Sequence, residues 1–99
     1  IIQSIDRKMD FEGIARAKDL DFDELLTEIE GIVNSGTKLD ISYYLREFMD
    51  EDKIEDIYLY FKEDAESDSL DAAIDELGAD YTEEEIRLVR IKFMCEQGN

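Results

Sequence analysis

The sequence predicts an all-α fold built on a helix-turn-helix core. Three observations carry that expectation. The 99 residues contain no proline, apolar residues recur at three- and four-residue spacing in segment after segment, and Ile14 to Val33 (IARAKDLDFDELLTEIEGIV) reads as a short helix, a tight turn and a longer amphipathic helix. Six or seven helices are expected and no sheet. The helix-turn-helix core should occupy about residues 10–35, with three or four further helices over about 40–97, all in one helical domain around that core.

In chain order, Ile1, Ile2 and Ile5 fit a short first helix ending near Lys8. Asp10 is placed to cap the helix from Phe11 to Lys18, since its carboxylate can accept from the exposed amides of the first turn. In that helix Ile14 is apolar and Ala15 small, as a close helix crossing needs, and Leu20 enters the core after the turn. Asp21 or Asp23 can cap the next helix, where Phe22, Leu25, Leu26, Ile29, Ile32 and Val33 form one stripe. Its other face carries Asp23, Glu24, Thr27, Glu28 and Glu30. Asn34, Ser35 and Gly36 then stop it in a left-handed turn.

Thr37 to Leu39 is too short to classify, and a winged-helix-like version of the fold would make it a strand fragment. Asp40 should cap a helix striped by Ile41, Tyr44, Leu45, Phe48 and Met49; a second, about Asp52 to Asp64, turns Ile54, Ile57, Tyr58 and Phe61 inward and leaves Tyr60 partly exposed. The polar run Glu63 to Ser69 reads as a loop. Leu70, Ala73, Ile74 and Leu77 mark a short helix ending at Gly78. The last helix has the best start signal: Thr82 and Glu85 form a capping box, and Tyr81 and Ile86 are spaced as a hydrophobic staple. Ile86, Val89 and Phe93 lie on one side of it and Leu88, Ile91 and Cys95 on another, so it should be buried on more than one face, within the domain or against a neighbour. Arg87 and Arg90 give it the only local concentration of positive charge outside the N-terminal end; with Glu83 four residues before Arg87, a solvated ion pair is expected there, a binding patch being the alternative.

Charge narrows the function. Acidic residues number 28 against 11 basic, a net charge of -17, and the pI is near 4.1. No Lys or Arg occurs from Asp19 through Thr37, the second helix of the helix-turn-helix included. Nucleic-acid affinity rests on cations that displace counterions from phosphates, so this helix is poorly suited to a major groove and better suited to a basic partner. At 43% hydrophobic the chain can bury a single core. It holds no apolar run of 18 residues and no export-signal pattern. The lone Cys95 is expected as a small buried hydrophobe, consistent with a reducing cytoplasm. The start at Ile1 suggests a fragment of something longer.

Two chemical motifs compete for attention. Asp19, Asp21, Asp23 and Glu30 occupy positions one, three, five and twelve of a calcium-binding loop, but Glu24 stands where the sharp turn needs Gly. Asp68-Ser69-Leu70-Asp71 at a helix start resembles the acyl carrier proteins, in which such a Ser takes a phosphopantetheine arm; the alternative is that Asp68 or Ser69 simply caps the helix. There is no His, no phosphate loop and no Cys pair for zinc, so the segment is expected to carry no catalytic, cofactor or metal site.

The strings IIQSIDRK, SGTKLDISYYLREFMDEDKIEDIYLYFKE and LDAAIDELGADYTEEEIRLVRIKF together resemble the extreme C-terminal region of RecQ-type ATP-dependent DNA helicases of Bacteroidetes-like bacteria. The resemblance covers nearly the whole chain. It implies a cytoplasmic bacterial parent that hydrolyses ATP with Mg, carries a zinc-binding segment, and moves 3′ to 5′ along DNA in recombination and repair. The motor's residues are absent here, so what is implied is a non-catalytic accessory domain that contacts protein, the parent itself included, regulates, or positions substrate. It would meet DNA through the parent and have no membrane partner. The alternatives are a carrier modified on Ser69 and an acidic decoy that occupies a basic DNA-binding surface.

Overall fold

In the computed structural model, which describes residues 1–64 and 69–97, the chain forms α1 (Ile2–Asp6), α2 (Phe11–Ala17), α3 (Phe22–Asn34), α4 (Ser42–Phe48), α5 (Glu51–Leu59) with a π-helical turn (Tyr60–Asp64), α6 (Leu70–Leu77) and α7 (Glu83–Gln97). The fold is therefore all-α, a helix-turn-helix followed by a helical bundle. No strand occurs among the described residues. The winged-helix-like version is not adopted, because Thr37 to Leu39 has no second extended segment beside it; instead it is irregular chain that drops Leu39 into the core.

Local chemistry sets the helix starts. Asp10 accepts from the Gly13 amide at 2.6 Å, and Asp21 and Glu24 exchange bonds with each other's backbone amides at 2.7 and 3.1 Å, a full capping box. Thr82 and Glu85 do the same at 2.9 and 3.2 Å. At α4 the cap itself is Ile41, and Asp40 sits one residue further out, accepting from the Ser42 amide at 3.1 Å.

Helix ends obey one rule three times. After α1, α2 and α3 a residue enters the left-handed region, at Lys8 (φ 59°), Asp19 (φ 56°) and Gly36 (φ 103°). The next amide then reaches back five residues, from Met9 to Ser4, Leu20 to Ala15 and Thr37 to Ile32. The turn between α2 and α3 is this motif, held without glycine.

The packing corrects two expectations. The helix-turn-helix is not the element on which the rest leans; α7 is. Ile86, Leu88, Val89 and Ile91 are fully buried around its circumference, and α3, α4, α5, the π-turn and α6 all pack on it. Its several apolar sides are thus covered within this chain. Secondly, Glu63 and Asp64 are not loop but the end of the π-turn, where Phe61 is buried and stacks on Phe93 at 5.7 Å; residues 65–68 of the expected loop lie outside the described residues. In α3, Leu25, Leu26, Ile29 and Val33 are buried while Phe22 and Ile32 are only partly so. No described helix is long and apolar enough to cross a membrane.

Candidate functional site

The second helix of a helix-turn-helix is where such a domain usually meets its partner, so the faces of α3 define the candidate site. One face, Leu25, Leu26, Ile29 and Val33, is core. A second carries Asp23, Thr27 and Glu30, spaced four and three residues apart and so aligned in a row along the helix. This row is held by α7. The Arg87 guanidinium, only 6% exposed, donates through Nη2 to Glu30 Oε1 at 2.9 Å and Thr27 Oγ1 at 3.1 Å, through Nε to Glu30 Oε2 at 3.5 Å, and through Nη1 to Asp23. Arg90, one turn on, has Nη1 3.6 Å from Glu30 Oε2.

This arrangement overturns the local ion pair expected between Glu83 and Arg87. A buried guanidinium needs several acceptors to replace its hydration, and only the α3 row offers them together. Burial disfavours the charge on Arg87, but Glu30 and Asp23 outweigh it and hold the guanidinium above its ordinary value. The third face of α3, Glu24, Glu28 and Gly31, stays in solvent. Of the five polar residues expected on an open face, Glu30 alone is largely withdrawn from solvent; Asp23 and Thr27 stay exposed while bonded to Arg87, and Glu24 and Glu28 are exposed beside them.

Sequence reasoning missed a second feature, an aromatic cluster joining α2, α3 and α4. Phe11 is fully buried and stacks on Tyr44 with centroids 4.1 Å apart; Phe22 stacks on Phe48 at 5.8 Å; and Tyr44 lies 5.7 Å from Phe48. The Tyr44 hydroxyl donates to Glu12 at 2.6 Å, and that of Tyr43 to the Met9 carbonyl at 2.5 Å. The one signal in the sequence was the Tyr44–Phe48 spacing on a single helix face.

The remaining candidates fall as follows. Asp21 caps α3, and Asp23 and Glu30 are bound to Arg87, so a helix runs through most of the stretch a calcium loop would need. Ser69 caps α6, accepting from the Ala72 amide at 3.3 Å; Asp68 lies outside the described residues. Cys95 is buried, and burial pushes its thiol above the ordinary value. Among the described residues no group of His, Cys, Asp or Glu is arranged to hold a metal ion.

Helices α1 to α4 define the class, a helix-turn-helix domain. Residues 1–45 match the family model of the RecQ-1-like helix-turn-helix domain. No curated protein matches the chain. The matched region ends inside α4, so Arg87 and Arg90 reach back from beyond it onto the second helix of the motif.

Proposed function

We propose that this chain is a non-catalytic accessory domain of a RecQ-type DNA helicase, and that it works by protein contact, modulating or positioning the helicase, rather than by gripping DNA itself. The observation that carries this reading is the state of α3: one polar face is bound by Arg87 and Arg90, and the other presents Glu24 and Glu28. Neither face offers cations to a phosphate backbone, and the net charge of -17 opposes approach to one. A cationic protein surface is the favourable partner by charge, and the DNA-binding surface of the parent helicase is one such surface.

The test is to compare ATP hydrolysis and strand unwinding by the parent helicase with and without this segment, over a range of DNA concentrations. A changed rate, or a changed apparent DNA affinity, on removal supports an accessory role. Identical rates and affinity overturn it.

A further inference from the structure

The surface between α3, α4 and the start of α7 is a cleft of about 550 Å³ lined by Glu12, Asp21, Phe22, Asp23, Phe48 and Glu84. Its floor is apolar. The rings of Phe22 and Phe48 lie nearly parallel, 8° apart, and both are only partly buried. Its rim is four carboxylates, and among the described residues no cation lines it.

From this geometry we infer that the cleft is a docking site for a short basic peptide segment of a partner protein, one in which Lys or Arg residues flank an apolar side chain. The inference rests on the protein-contact reading above and specifies where that contact lies. The aromatic floor gains from covering an apolar group, whereas the rim gains only from cations, so the occupant must supply both within a few residues. Three rim carboxylates are already oriented: Glu12 by the Tyr44 hydroxyl, Asp21 by the Glu24 amide at 2.7 Å, and Asp23 by Arg87. Each such bond leaves a carboxylate with acceptor sites to spare, so cations can be bound without first ordering the side chain. Glu84, exposed on the first turn of α7, closes the remaining side. A phosphate backbone is repelled by this rim, and a purely apolar partner leaves it unanswered.

The test must separate this cleft from the general attraction of an acidic protein for cations. A fluorescein-labelled peptide with the sequence Lys-Arg-Leu-Lys-Arg is titrated into the 99-residue chain by anisotropy at moderate salt, and its contacts are mapped by amide chemical shifts. Binding should shift Phe22 and Phe48, and Glu84→Lys should weaken it about tenfold, while Glu76→Lys on α6, which changes the net charge equally, leaves it nearly unchanged. Replacing the peptide's Leu by Ser should also weaken binding severalfold. Equal losses from Glu84→Lys and Glu76→Lys, no effect of the Leu replacement, or equally tight binding of spermine at Phe48 would each overturn the assignment. Phe48→Ala, with helicity checked by circular dichroism, gives an independent loss of the floor. If the peptide fails while deletion of the segment still alters the helicase, the contact lies elsewhere on the chain; if the peptide binds as described and deletion changes nothing, the helicase role fails and the cleft stands.

Discussion

Arg87 on α7 and Glu30 on α3, 57 positions apart in the sequence, meet through two hydrogen bonds of 2.9 and 3.5 Å in a largely buried setting. This pair joins the helix-turn-helix to the second half of the chain, and it draws Glu30 of an otherwise outward polar face into an internal contact.

Removing one partner should therefore be costly. Arg87→Ala leaves Glu30 short of its main donor in a site that is 14% exposed, and we expect a loss of about 3 kcal/mol, the low end for a broken buried pair, because Asp23 is largely in water and Arg90 already approaches Glu30. For a domain of this size that lowers Tm by more than about 10 °C. Adding Glu30→Gln to Arg87→Ala should recover part of the loss, since the stranded charge is gone. Thermal unfolding of both single variants and the double measures both effects; additive losses would contradict direct coupling.

The cap of α7 is a local matter. Thr82→Ala removes the acceptor for the Glu85 amide and should cost about 1 kcal/mol in urea unfolding, with Thr82→Ser close to neutral.

That contrast shows what the sequence could disclose. The capping boxes and helix stops depend on residues three to six apart, so Asp10, Gly36 and the Thr82–Glu85 box were legible before any coordinates. The Arg87 contact was not: Glu83, at the proper spacing on the same helix, offered a nearer partner, and only the packing of α7 beside α3 reveals that Arg87 is buried and needs three acceptors. The Phe22–Phe48 floor was hidden for the same reason, since each ring belongs to the apolar stripe of its own helix and only their approach leaves them half open. The central place of α7 was partly legible, because apolar residues on two sides demanded cover, but not whose.

Acid should weaken the Lys53–Glu85 contact. Burial raises the carboxyl of Glu85, yet the Thr82 amide and Lys53, 3.2 Å away, outweigh it and hold it below its ordinary 4.5. The folded state thus binds that proton less readily than the unfolded one. Its contribution is complete above about pH 4.5 and is lost as pH falls through the lowered value. Glu85→Gln keeps the cap but not the charge, so its stability should lie below the wild type at pH 7 and converge with it in acid. A constant difference from pH 7 to pH 3 would contradict the assignment.

Base should act through the aromatic cluster. Burial, then Glu47, Asp10 and Asp40, push the Tyr43 hydroxyl up to about 12. Here the folded pKa is raised, so the stabilisation is full below pH 10 and is lost as pH rises through about 12. Absorbance at the phenolate band should show Tyr43 titrating near 12 in the native chain, a transition missing from Tyr43→Phe; ionisation near 10 in the native chain would contradict the burial.

Most directly, labelled duplex, forked and single-stranded DNA should be titrated with the isolated chain at low and moderate salt. The engaged and acidic faces of α3 predict no saturable binding at moderate salt. Tight binding with a steep salt slope, lost on neutralising Arg7, Lys8, Arg16 and Lys18, would contradict a domain that works against protein.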